Sequence, residues 1–192
     1  QMALCDGIQT LPDGEHWVDG VRWVLHRQVG YLPMSPARIR CELSDVTGTW
    51  EAINVEYTQE PPVTEQRFLL QLCHRHPLVG SGYVLVGTAD AIQLDAMVSK
   101  PPWTILANDD LQQSVCFADG TTMAACYAAG VVKNGNEDIL CVDRPCLALW
   151  TDNILWVSDP SWTGGQLHVT WFGNDYSIEL PGEGQAACLY MR

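Results

Sequence analysis

The side chains in this sequence that could do chemistry fall into four sets. The first is His74-Arg75-His76, two imidazoles flanking a guanidinium in a polar stretch. An imidazole titrates near neutral pH and a neighbouring cation can neutralise a carboxylate, so the cluster holds the parts of a general base beside an anion site. The plainer reading is an exposed loop with one structural histidine. The second set is Glu51, Glu56, Glu60 and Glu65. A hydrolytic pair needs two carboxyls held roughly 5 to 9.5 Å apart. Sequence spacing does not fix that distance, and a solvated acidic face is the default. Ser35, Ser81 and Ser161 lack a Gly-x-Ser-x-Gly setting. His16 and His26, beside Trp17 and Trp23 on strand-like runs, read as strand-face residues and not as ligands.

The third set is the cysteines: Cys5, Cys41, Cys73, Cys116, Cys126, Cys141, Cys146 and Cys188. None forms a Cys-x-x-Cys pair, so the spacing argues against zinc and for no metal site. An even set of this kind fits disulfides in an oxidising compartment. Cys116 and Cys126 flank an Asp119-Gly120 turn, and Cys141 and Cys146 flank Asp143-Arg144-Pro145. Either pair is a candidate local bridge, or its members reach distant partners.

The fourth set is eight tryptophans, more than one small core takes without question. Trp50, Trp150 and Trp156 lie in apolar alternation and read as core. Trp162 lies in the turn Pro160-Ser161-Trp162-Thr163-Gly164-Gly165, where an indole has less reason to be buried. Exposed indoles are flat apolar platforms for sugar rings. Trp162, Trp17 and Trp23, with His74, Arg75 and His76, are therefore the candidate carbohydrate-binding residues, against the alternative of packing, or of an interface between the two modules.

These residues must be positioned mostly by strands. His16-Trp17-Val18 meets the hairpin dipeptide Asp19-Gly20, with Val21 to His26 alternating beyond it. Ala37 to Leu43 (ARIRCEL) alternates as a strand with one wet face. Thr49 to Val55 and Gln66 to Cys73 are further strand candidates, and residues 1–14 read as loop. Asp90 to Ser99 has helical spacing, with Asp90 as N-cap and Pro101 beyond its end. From Trp103 onward, short strands alternate with turns such as Asn108-Asp109, Asn134-Gly135 and Gly173-Asn174, the pattern of an antiparallel sandwich. The expected fold is all-β: two packed antiparallel β-sandwich modules with one short linking helix. The divisions are a β module at 1–90, helix and linker at 91–102, and a β-sandwich at 103–192.

The 192 residues are 47% hydrophobic, a globular composition, and carry 10 Lys+Arg against 23 Asp+Glu. The net charge of −13 opposes nucleic acid, anionic lipid and polyanionic glycans unless a local basic patch overrides it, and no apolar run suits membrane insertion. No signal peptide and no Asn-x-Ser/Thr sequon is visible.

Several segments, in order, resemble the C-terminal half of polysaccharide lyase family 8. They are Trp23-Val24-Leu25-His26 with Val29-Gly30-Tyr31, Thr47-Gly48-Thr49-Trp50 with Ile53-Asn54, and His74 followed by Tyr83-Val84-Leu85-Val86. Beyond the helix come Trp103-Thr104-Ile105-Leu106 with Gln112-Gln113-Ser114-Val115, Asp143-Arg144-Pro145-Cys146, and Val157-Ser158-Asp159-Pro160. The resemblance implies the late part of a β supersandwich followed by a terminal β-sandwich. In that family the catalytic Asn, His, Tyr and Arg sit on a helical toroid that no segment here matches, so no catalytic residue is carried over. The expectation is a secreted, extracellular, non-catalytic protein, without cofactor, that binds a glycan or glycoprotein in a lectin-like way. A second reading, motivated by the start at Gln1, is the C-terminal chain of a processed lyase whose toroid is a separate helical polypeptide. On that reading, activity toward uronate-containing glycans requires the partner. A protein-binding or immunomodulatory surface role and a homo-oligomer also stay open.

Overall fold

A computed structural model of the chain describes residues 2–4, 9–54, 56, 61–73 and 81–191. They divide into two compact units, Gln1–Lys100 and Pro101–Arg192. Both are built from antiparallel sheets, as the alternation of apolar and polar residues requires.

The first unit contains β1 (Met2–Leu4), β2 (Gln9–Leu11), β3 (Gly14–Val21), β4 (Val24–His26), β5 (Val29–Pro33), β6 (Ala37–Gly48), β7 (Val63–Cys73), β8 (Tyr83–Gly87) and helix α1 (Ala91–Ser99). The strands form a five-stranded sheet, β2-β1-β4-β5-β8, and a three-stranded sheet, β3-β6-β7. Ile39 and Cys41 of β6, Val21 of β3 and Val24 of β4 form a buried cluster, closed by Phe68, Leu70 and Leu72 of β7 and Tyr31 of β5. Both sheets thus contribute to one apolar layer. Three local expectations are corrected. The segment 1–14, expected as loop, supplies β1 and β2. Asp19-Gly20 is not a hairpin turn. β3 runs through it with a register shift between Val18 and Val21, and Gly20 takes a positive φ of 69°. Trp50 lies in a 3₁₀ turn, Trp50–Ala52, where it is half exposed and not core.

Helix α1 begins as its sequence predicts, with the Asp90 carboxylate accepting the Gln93 N–H at 2.8 Å. Its one buried side chain, Leu94, settles on Gly30 of β5. A Cβ at Gly30 would lie 2.4 Å from Leu94 Cδ2 and 3.2 Å from the Ala89 Cβ. The glycine is there for close approach of helix to strand. Gly30→Ala should therefore destabilise this unit by about 1 to 3 kcal/mol, through overpacking at a buried site. A urea midpoint equal to that of the wild type would show that Leu94 moves aside freely.

The second unit contains β9 (Trp103–Asn108), β10 (Gln112–Phe117), β11 (Thr122–Cys126), β12 (Gly130–Asn134), β13 (Glu137–Val142), β14 (Cys146–Thr151), β15 (Ile154–Ser158), β16 (Gly165–Trp171), β17 (Asn174–Leu180) and β18 (Ala186–Tyr190). They make a six-stranded sheet, β18-β15-β14-β11-β10-β9, and a four-stranded sheet, β12-β13-β16-β17. Trp150 and Leu155 from the first sheet and Leu140, Leu167 and Trp171 from the second share one core, so this unit is a β-sandwich. The turn residues act as their types predict. Asp109 Oδ1 accepts the N–H groups of Leu111 and Gln112, and Asp119 Oδ1 accepts that of Thr121.

Candidate functional site

The outer face of the β3-β6-β7 sheet carries three arginines interleaved with carboxylates. Alternation along β6 turns Ile39, Cys41 and Leu43 inward and Arg38, Arg40 and Glu42 outward. Arg40 pairs in register with Trp17 on β3 and Gln71 on β7, so these side chains share that face. Three of the ten basic residues, Arg38, Arg40 and Arg67, lie on this one sheet. Trp17 is 51% exposed, and the Arg38 guanidinium carbon lies 5.0 Å from its ring centroid. That is cation–π distance.

A line of hydrogen bonds fixes the platform. The indole N–H of Trp17 donates to Glu15 Oε1 at 2.8 Å, and Arg40 Nη2 donates to Glu15 Oε2 at 2.8 Å. Arg40 and Arg67 reach the Glu42 carboxylate at 3.4 and 2.7 Å, and Ser44 Oγ donates to it at 2.9 Å. The Arg40 hydrogen bond, aided by the Trp17 N–H, holds the Glu15 carboxyl down at about 2. Hydrogen bonds from Ser44 and Arg67 lower that of Glu42. Both carboxylates therefore stay charged and keep Arg40 and Arg67 occupied. Arg38 is different. It faces Asp19 at 3.8 Å, beyond hydrogen-bond distance, and both side chains are largely exposed.

The second unit carries the other aromatic platform. Trp162 is 69% exposed and takes a φ of 61°, a left-handed conformation that costs a non-glycine residue about 1 to 2 kcal/mol. Asp159, 1% exposed, over-determines this loop. Its Oδ1 accepts the Ser161 N–H at 2.7 Å, and its Oδ2 accepts the N–H groups of Thr163 and Gly164 and the Thr163 hydroxyl at 2.8 to 2.9 Å. Arg144 Nη2 adds a contact at 3.4 Å, while its Nη1 donates to the Gly164 carbonyl at 3.1 Å. The Thr163 hydroxyl bond and then the Ser161 N–H push the Asp159 carboxyl far below the usual range. The indole lies over Gly184, where a Cβ would come within 2.9 Å of Trp162 Nε1. Trp162 is thus a held platform and not a loose loop tip.

The remaining expected residues are placed as follows. Trp23 is 1% exposed and donates its N–H to Asp95 Oδ1 at 2.7 Å, so it leaves the carbohydrate-binding set: no ring face is open to a sugar. His74, Arg75, His76 and Cys5 lie outside the described residues. Glu51, Glu56 and Glu65 are exposed, in keeping with a solvated acidic face, and Glu60 lies outside the described residues. His16 Nε2 donates to the Pro12 carbonyl oxygen at 2.9 Å, and His26 stacks on Phe68 with centroids 4.2 Å apart. Both are strand-face residues.

Neither local cysteine bridge forms. Cys116 faces Thr104 and Thr122, while Cys126 faces Gln112 at the other end of the same hairpin. Four residues of strand separate them, roughly 13 Å and far beyond disulfide reach. Cys141 is exposed on the four-stranded sheet, whereas Cys146 is buried in the six-stranded one. Among the described residues no group of three or more His, Cys, Asp or Glu side chains could hold a metal ion. A depression of about 510 Å³ on the four-stranded sheet includes Cys141, Asp143, His168, Thr170 and Asp175. Its polar groups bond to one another, Thr170 Oγ1 donating to Asp175 Oδ1 at 2.6 Å and His168 N to Asp143 Oδ1 at 3.0 Å. No helix among the described residues is long and apolar enough to cross a membrane.

The sequence matches the super-sandwich domain of polysaccharide lyase family 8 over residues 5–98 and the C-terminal beta-sandwich domain of the same family over residues 104–168. No curated protein matches the chain. Among solved structures, a chondroitinase AC lyase studied with bound oligosaccharides aligns with a TM-score of 0.78 at 19% identity, over 98% of this chain and 30% of that one. A xanthan lyase from Paenibacillus aligns with a TM-score of 0.78 at 12% identity, over 97% and 21%. The chondroitin AC lyase of Streptomyces coelicolor A3, in complex with chondroitin sulphate, aligns with a TM-score of 0.70 at 24% identity, over 91% and 26%. At these identities the structural likeness establishes the fold, and this chain spans under a third of each of those proteins.

Proposed function

The chain belongs to polysaccharide lyase family 8, and from that premise we propose that its two β units are a non-catalytic, carbohydrate-binding part of an extracellular polysaccharide lyase. They hold a uronate-containing polymer while a helical catalytic domain outside these residues cleaves it. The observation that carries the reading is the exposed Trp17–Arg38 stack on the β3-β6-β7 face. An indole face takes the apolar side of a pyranose ring, and a guanidinium beside it supplies paired N–H donors for a sugar carboxylate. The charge of −13 repels a polyanion, and the arginines of this face are matched by Glu15, Asp19 and Glu42, so the attraction rests on the Arg38 guanidinium beside the ring and weakens with added salt.

No described set of groups supports the chemistry itself. Abstracting a proton α to a uronate carboxyl needs a base poised near neutral pH within reach of a carboxylate-neutralising group. The lowered carboxyls of Glu15, Glu42 and Asp159 are the reverse, too acidic to accept a proton.

Calorimetry and tryptophan emission with chondroitin and neutral oligosaccharides test the reading. Acidic oligosaccharides should bind and quench emission, and Trp17→Ala and Arg38→Ala should each weaken binding by about 5- to 10-fold or more, with the melting midpoint within a few degrees of the wild type. Absence of binding by every glycan, with unchanged emission, removes carbohydrate binding. Release of unsaturated uronate by the chain alone, followed by ultraviolet absorbance, removes the non-catalytic assignment.

A further inference from the structure

We infer that Cys126 and Cys146 are a disulfide-forming pair, a redox-dependent staple inside the terminal β-sandwich. β11 and β14 place the two directly opposite one another. Directly opposed residues of an antiparallel pair have Cα atoms about 4.5 or 5.5 Å apart, according to their place in the ladder. Both values lie within the roughly 4.4 to 6.8 Å that a disulfide spans. Both are free thiols buried in the same core. Among the described residues no other two cysteines face one another across a strand pair. Cys41 faces His16 and Leu70, Cys73 faces Arg38, Cys141 faces Val131 and Thr170, and Cys188 faces Trp156.

The chemistry is thiol–disulfide exchange with a small-molecule disulfide such as oxidised glutathione. The thiolate of one of the two cysteines attacks, releasing one glutathione thiolate and leaving a mixed disulfide. The other thiol then gives up its proton and displaces the second glutathione. Two protein thiols become one disulfide, and one glutathione disulfide becomes two glutathione thiols. The bond closes a loop over residues 127–145, which contains β12 and β13 of the opposite sheet. It thus ties the six-stranded sheet together where the chain leaves it and returns. Because both sulfurs are buried, exchange requires the strand pair to open, so the bond forms during folding or transient unfolding. Nothing in this assignment depends on glycan binding.

The test equilibrates the full chain with a mixture of oxidised and reduced glutathione in mildly denaturing urea, traps free thiols with N-ethylmaleimide and maps linked peptides by mass spectrometry. The expected result is a peptide pair joining Cys126 to Cys146, two hydrogens lighter than its reduced form. The oxidised chain should melt roughly 10 °C higher than the reduced one. Cys126→Ala should abolish that difference, and Cys188→Ser, an exposed control, should keep it. Separate alkylation of Cys126 and Cys146 after equilibration, or either residue linked to a different cysteine, overturns the assignment. The peptide map decides even if a core variant fails to fold.

Discussion

Replacing Asp159 with Asn should lower the melting midpoint of the terminal β-sandwich on the order of 10 °C at neutral pH and flatten its response to acid. The carboxylate is buried and accepts from three backbone N–H groups and one hydroxyl, with Arg144 alongside. An amide offers one acceptor oxygen and turns an N–H₂ toward the donors around it, so some of these donors lose their acceptor and Arg144 loses its counter-charge. The sign of the pH effect follows from the lowered carboxyl. Its folded value lies below the unfolded value of about 3.9, so the stabilisation is complete above that pH and is lost as pH falls toward the folded value. The wild type should therefore lose stability steadily below about pH 4, and Asp159→Asn should lose much less. Thermal unfolding followed by circular dichroism from pH 7 to pH 2 checks both parts. Equal midpoints and equal slopes for the two proteins would mean that the loop is held by something other than this carboxylate. The same variant should free Trp162 from its left-handed conformation, read as a change in near-ultraviolet dichroism.

The second unit was the more legible in sequence, for a physical reason. Its strands are short and separated by turns whose chemistry is local, such as Asp109 and Asp119 capping the N–H groups that follow them. Such signals need no tertiary context. In the first unit, β1 and β2 are three residues each and are defined by pairing with each other and with β4, which no local pattern records. Apolar alternation across Thr49 to Val55 does not distinguish a strand from the 3₁₀ turn at Trp50–Ala52, whose side chains are exposed.

The candidate site divides in the same way. Trp17 and Trp162 could be chosen by residue type and by neighbouring turn residues. Arg38 could not, because its place beside Trp17 depends on the β3–β6 register. The usable signal was the ARIRCEL alternation, which puts Arg38 and Arg40 on one wet face and needs only a facing aromatic to become a platform. Trp23 shows the opposite failure. Trp17, Val21 and Trp23 share odd parity, and an unbroken strand would expose all three together. The register shift between Val18 and Val21 breaks that parity and sends Val21 and Trp23 inward.

Trp23→Ala should therefore act on stability, and Trp17→Ala on binding. Trp23 is among the largest fully buried side chains, and its N–H is bonded to Asp95 of α1 at 2.7 Å. Truncation removes an indole from the interior and the link between the β3–β4 connection and the helix. Tryptophan-to-alanine changes in cores cost about 3 to 5 kcal/mol, a large part of the roughly 5 to 15 kcal/mol that holds a domain together. The first unit should lose roughly 15 °C or more in melting midpoint. Trp23→Phe keeps most of the apolar volume and should cost about 1 to 2 kcal/mol, of which the lost hydrogen bond is the part that Asp95→Ala reproduces. A double-mutant cycle on Trp23 and Asp95 isolates that coupling. Under conditions where Trp23→Phe is fully folded, its glycan affinity should equal that of the wild type, while Trp17→Ala should show the reverse, weaker binding at nearly unchanged stability. A Trp23→Ala protein that melts with the wild type, or a folded Trp23→Phe protein that no longer binds glycan, would return Trp23 to the recognition surface and remove it from the core.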